Sequence, residues 1–153
     1  MPGPIHTFAA TTVWRGETTQ RGSYSRDHVI EMNGKPDLAV SSGTAKLANH
    51  ALHNPEDLLV GALASCHMLW YLALCAQAGV TVTEYLGHTE GEMEETADGG
   101  GHFTRVVLRP VITLAAGSDE ALADVQHHEA HELCFIAQSV NFPITVEATY
   151  RFA

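Results

Sequence analysis

Cys66, Cys75 and Cys134 are the thiols of this 153-residue chain, and their spacing limits what they can do together. A thiol in an apolar interior is packing; beside a cation it becomes a nucleophile. Cys66 and Cys75 lie on one helical stretch, about 13 Å apart along its axis and half a turn apart. They cannot be joined while that helix is intact. Cys134 stands near the end of a second helical stretch, so Cys66–Cys134 is the pairing that helix packing can bring together. Cys75 reads as core. Cys66 is either inert core or the reactive atom. Arg26 is the cation the pattern favours for activating it, with Arg15, Arg21 and Lys46 as rivals. Glu56 shares the helix but sits about 15 Å away if the helix is straight. Its participation therefore needs a broken helix or a second subunit. His67, although adjacent, points about 100° away from Cys66 around the helix.

A second constellation is QHHEAHELCFIA, in which His127, His131 and Cys134 fall at i, i+4 and i+7 on one face. Such a face can ligate zinc if a fourth group, such as His67 or His102, joins it. The spacing differs from HExxH, because only one residue separates His128-Glu129 from His131. The other reading of these histidines is a solvated or interface-facing surface.

The elements that position these residues follow from pattern. Asn54 suits an N-cap, Pro55 the first helical position, Glu56 and Asp57 the positive dipole end, and Gly79 the C′ position. Between Leu58 and Thr83 there is no Asp, Glu, Lys or Arg, which predicts a helix buried nearly all round. That run is long enough to cross a bilayer, but Ser65, His67, Cys75 and Gln77 interrupt it and no basic cluster flanks it. A central helix of a soluble protein is the expectation. Before it, strands are expected over Ile5–Trp14, over Ser23–Met32 with Arg26 on it, and from Asp37 to before Ser42. After it come a strand over Val80–Glu94, a turn at Asp98–Gly101 and a returning strand over His102–Leu114. Pro110 in that strand suggests an edge or a bulge. Ser118 is expected to cap a second helix running to about Ser139, with Leu122, Val125, Glu129, Leu133 and Ile136 as its stripe. Ile144–Phe152 alternates as one last half-buried strand. The sum is a single α+β domain, 1–153.

Composition narrows the function. A net charge of −10, with eight Lys and Arg, argues against nucleic acid or an anionic membrane as partner. The opening MPGPIHTFAATTVWRG has neither a basic start nor an apolar h-region, so the expected location is cytoplasmic. Cysteine pairs there are more often catalytic or metal-binding than structural.

NPEDLLVGALASCHMLWYL resembles the central-helix signature of the OsmC/Ohr family of thiol peroxidases. In that signature Asn-Pro-Glu opens the helix and a cysteine follows ten residues after the Glu. HELCFIAQSVNFPI stands where the family carries its second cysteine, and the order of elements agrees. The resemblance implies an OsmC-like α+β fold, with antiparallel sheets wrapped around two long helices in an intertwined homodimer. Glu56 would reach the site across the interface or by a helix bend. It implies a cofactor-free organic hydroperoxide reductase: Cys66 is oxidised to a sulfenic acid, Cys134 captures it as a disulfide, and a dithiol such as a lipoyl group regenerates both. Arg26, held by Glu56, would favour the thiolate. Three features depart from the family pattern. Cys134 is followed by Phe135 rather than Pro, Cys66 is followed by His67, and the family's arginine has no unambiguous match, Arg26 being preferred. Leu69, Trp70 and Phe135 are read either as an alkyl-hydroperoxide pocket or as dimer core. The other functional readings are a metal-binding or regulatory protein using His127, His131 and Cys134, and a non-catalytic small-molecule carrier.

Overall fold

The computed structural model of the chain describes residues 1–20 and 22–153, which group into two compact units, Met1–Leu58 and Leu59–Ala153. Arg21, one of the candidate cations, lies outside the described residues. In the first unit, β1 (Thr11–Val13), β2 (His28–Glu31) and β3 (Leu38–Val40) form an antiparallel sheet in that order. The first two strands are much shorter than the pattern predicted. Trp14 Nε1–H donates to the Ser25 carbonyl at 2.8 Å, so a side chain rather than a backbone ladder holds the segments flanking the turn. Arg26 consequently precedes β2 instead of lying on it. Gly34, at φ +73°, supplies the turn between β2 and β3. From β3 the chain runs to the first helix through a tied loop. Ser41 N–H donates to the His53 carbonyl at 2.8 Å, and Asn49 N–H donates to Ser41 Oγ at 3.0 Å.

Helix α1 spans Pro55–Gln77 without a break. Asn54 caps it as expected, its Oδ1 accepting from Asp57 N–H at 2.9 Å. At the far end Val80 N–H reaches the Cys75 carbonyl at 2.9 Å and Gly79 N–H the Ala76 carbonyl at 3.2 Å. With Gly79 at φ +76°, this is a Schellman end. By length and composition α1 could cross a bilayer. Here its stripe Leu63, His67, Tyr71 and Cys75, one residue per turn, is buried in protein. The rest is not: Gly61, Ala62, Ser65, Leu69, Ala73 and Ala76 are exposed, against the expectation of burial on nearly every side.

The remaining elements are β4 (Val82–Glu95), β5 (Gly101–Leu114), α2 (Glu120–Leu133), a short 3₁₀ turn (Ala137–Ser139), β6 (Ile144–Val146) and β7 (Thr149–Phe152). β4 and β5 form a long antiparallel hairpin. The single last strand is in fact two, both parallel to β5, so this sheet is mixed rather than antiparallel. Pro110 is on the central strand, not an edge. Val106 N–H and the Leu108 carbonyl both bond toward the β6 side, and the Leu114 carbonyl toward β7, so Pro110 presents its missing donor on that side too. It does so where β6 has ended and β7 has not begun, which removes the cost of a proline in a ladder.

In α2 the cap is Asp119, accepting from Leu122 N–H at 3.0 Å, rather than Ser118. The helix stops at Leu133 instead of continuing to Ser139, and its buried face is Ala123, His127 and Ala130. Leu122 and Val125, two of the predicted stripe, are exposed. Tyr71 and Cys75 share a core with Ile112, Leu114, Ala123 and Ala130, while Leu63 shares one with Val106, Cys134 and Ala137. The two helices therefore pack antiparallel. Ile112 is wholly buried near the end of β5. Ile112→Ala should lower the unfolding free energy in urea by about 2–5 kcal/mol, with the m-value unchanged.

Candidate functional site

Antiparallel packing of α1 and α2 brings two thiols together. Cys66 projects from the middle of α1 and is half-buried against the cluster that contains Cys134. Cys134 is fully buried at the C-cap of α2, where its backbone turns extended (φ −69°, ψ 109°). Its sulfur accepts a hydrogen bond from Ala137 N–H at 3.4 Å. Burial, and then the neighbouring Cys66 thiol, push the Cys134 thiol up to about 11. All three cysteines are free thiols. Cys75 is core, as read from the sequence; it is buried, and burial raises its thiol. Around the Cys66–Cys134 pair the walls are apolar. Trp70 and Phe135 meet edge to face at 5.9 Å, and Phe135 is 70 % exposed.

His67 does not turn to Cys66. Its Nε2 and His127 Nδ1 are 2.9 Å apart in a buried hydrogen bond. Tyr71 stacks on the His127 ring with centroids 4.0 Å apart. Burial first, and then the neighbouring imidazoles, hold both histidines down to about 4. The pairing was not visible in the sequence, although His67 stands in register with Leu63, Tyr71 and Cys75. It also commits His127 Nδ1 to His67, although His127 and His131 still line the same side of α2. Among the described residues, no three His, Cys, Asp or Glu side chains are placed to hold a metal ion, and the zinc reading of His127, His131 and Cys134 falls with that. His102, a suggested fourth ligand, is exposed on β5. A cavity of about 310 Å³ lies along α2 between Asp124, His127, His128, His131 and the apolar Ile144, Val146 and Ala148. Neither Cys66 nor Cys134 lines it.

The remaining candidates belong to the first unit. The Arg26 guanidinium lies over the Tyr24 ring at 3.8 Å, and its Nε is enclosed without a hydrogen-bond partner. Glu56 Oε2 is likewise enclosed and unpartnered. The two do not pair; the ion pairs found among the described residues are those of Arg105 and Arg109. Arg15 and Lys46 are exposed. Because α1 is unbroken, Glu56 stays about 15 Å from Cys66 along the helix, and the broken-helix alternative is gone.

Residues 48–149 match the family model described as OsmC-like protein. The chain belongs to the OsmC-like protein family. The architecture agrees with that membership. An OsmC-like protein of unknown function from Vibrio cholerae is 30 % identical and superposes with a TM-score of 0.83, over 95 % of this chain and 100 % of the other. An organic hydroperoxide resistance protein from Elizabethkingia anophelis shares the fold at 18 % identity and a TM-score of 0.72, over 98 % and 99 % of the two chains. The uncharacterized protein YmaD of Bacillus subtilis is 24 % identical over 95 % of each chain. The OsmC-like fold thus accounts for the two helices and the mixed sheet that follows the first of them.

The histidine pair makes this OsmC-like chain sensitive to acid. Each ring titrates near 6.5 when unfolded and near 4 when folded, so the unfolded chain takes up protons first. Stability from this source is complete above about pH 6.5 and drains away as the pH falls toward 4. Urea midpoints measured across that window should decline. The decline should be shallower in a His67→Phe/His127→Phe double variant.

Proposed function

We propose that the protein is a thiol-dependent peroxidase that reduces organic hydroperoxides, with Cys66 as the attacking thiol and Cys134 as the resolving one. The observation that carries this reading is the half-buried Cys66 set against a fully buried Cys134 whose thiol is pushed up to about 11. A peroxide can reach the first, while burial keeps the second protonated and waiting. The Cys66 thiolate attacks the distal peroxide oxygen, the O–O bond breaks, and the alkoxide leaves with a proton as the alcohol. Cys134 then attacks the sulfenic sulfur, a disulfide forms and water leaves, which stops oxidation at its reversible rung. A dithiol, a lipoyl group for example, returns two electrons and two protons. Membership of a family that includes organic hydroperoxide resistance proteins supports a peroxide-related redox role.

Apolar Trp70 and the exposed Phe135 suit an alkyl or aryl peroxide better than hydrogen peroxide. The exposed Gly61, Ser65, Leu69 and Ala73, one per turn of α1, form an apolar, small-residue face that a second copy of α1 would cover. On an intertwined homodimer, Glu56 of one copy serves Cys66 of the other, and Arg26 supplies the positive charge that favours the thiolate. A dimer also removes the exposed apolar helix surface that would be a liability in the cytoplasm, the location proposed for this chemistry.

Purified protein with a dithiol should consume cumene hydroperoxide faster than hydrogen peroxide, and Cys66→Ser should abolish both. Turnover that survives Cys66→Ser would sink the reading. Cys134→Ser should still reduce one equivalent of peroxide, and then stall or over-oxidise. In sedimentation, the wild-type protein should run as a dimer, and Leu69→Glu should shift it toward monomer.

A further inference from the structure

The carboxylate of Glu56 is held in an unusual place. Its Oε2 is enclosed and accepts no hydrogen bond, although it belongs to the first turn of a helix whose neighbours Asn54, Pro55 and Asp57 face solvent or cap the end. What occupies the space beside it is the backbone of Gly43. A Cβ on Gly43 would stand 2.6 Å from Glu56 Oε2 and 3.2 Å from Asn54 Oδ1. Gly43 is not at positive φ, so backbone conformation does not require glycine there. Space does.

Neither wall of that space can easily retreat. Asn54 is pinned on both sides of its amide: Oδ1 accepts from Asp57 N–H at 2.9 Å, and Nδ2 donates to Asp57 Oδ2 at 2.7 Å. The segment carrying Gly43 is pinned as well. Ser42 Oγ accepts from Ala45 N–H at 3.0 Å, Ser41 N–H donates to the His53 carbonyl at 2.8 Å, and Asn49 N–H donates to Ser41 Oγ at 3.0 Å. The movable part is the end of the Glu56 side chain. A methyl group at position 43 would be relieved by rotating the carboxylate away, with the fold left as it is.

We infer that Gly43 is a positioning residue: the room left by its missing side chain seats the Glu56 carboxylate, and filling that room turns the carboxylate out. The effect on turnover rests on the peroxidase reading; the seat itself does not.

The test is Gly43→Ala, compared with Glu56→Gln and with the double variant. Three quantities are measured: the carboxyl NMR resonance of Glu56 in glutamate-labelled protein (assigned by its loss in Glu56→Gln), the urea midpoint, and peroxide consumption. In Gly43→Ala the resonance should move to that of exposed glutamates, the midpoint should hold, and consumption should fall about tenfold or more. The double variant should be no slower than Glu56→Gln alone, because the carboxylate it displaces is already gone. An unmoved resonance, or losses that multiply in the double variant, would overturn the inference. So would a moved resonance with wild-type turnover. If the resonance moves but the wild-type protein consumes no peroxide, the seat stands and the peroxidase reading falls. Should Gly43→Ala not fold, pairing it with Glu56→Asp, whose carboxylate stops one methylene short, should restore folding; failure to do so overturns the inference.

Discussion

A polar ring buried on α1 must find a partner in a dry interior, and this requirement at His67 governs how the two helices meet. An unpaired imidazole there would forfeit a hydrogen bond worth roughly 1–3 kcal/mol in desolvation alone. The partner is His127, and the 2.9 Å bond between them fixes the rotation of α2 against α1. Seven residues beyond His127, two turns along the same face, comes Cys134; one residue before His67 comes Cys66. The meeting of the thiols is therefore set by an interaction between side chains that take no part in their chemistry. Tyr71, stacked on His127 one turn further along α1, closes the same contact from the other side.

The surface of α1 divides sharply. One residue per turn is buried within the chain, Cys66, Trp70, Leu72 and Leu74 pack partly against the core, and Gly61, Ser65, Leu69 and Ala73 face outward, with Leu69 61 % exposed. A charge-free helix normally implies burial on every side. Here that demand is met only in part by the chain itself, and the unmet part is composed mostly of small residues that let another backbone approach closely.

What could be read from the sequence was whatever local chemistry determines. The ends of α1 followed from Asn54 and Gly79, and the β4–β5 hairpin from Asp98 to Gly101, because caps and turns are short-range events. The paired cysteines followed from helix spacing and from family resemblance. The face of α2 did not, because alanine at 123 and 130 packs by being small, while the larger Leu122 and Val125 drew attention to the wrong side. Nor did the division of the last strand: its alternation is unbroken, and the interruption is imposed by Pro110 on a neighbour in the sheet. Arg26 and Glu56 were found as types. Their enclosure, and the room that Gly43 leaves, depend on a loop whose path no periodicity records.

Cys134 stands at the place where α2 stops. A residue inside a helix is bound to neighbours on both sides by the ladder, and pulling it sideways strains that ladder. At the C-cap the backbone bond back into the helix is a long one, Cys134 N–H to the His131 carbonyl at 3.4 Å, and the sulfur accepts from Ala137 N–H, beyond the helix, at 3.4 Å. A covalent bond made to this sulfur therefore leaves the helical hydrogen bonds intact. The joined and unjoined forms can share one secondary structure, with the difference confined to the few residues between α2 and the 3₁₀ turn.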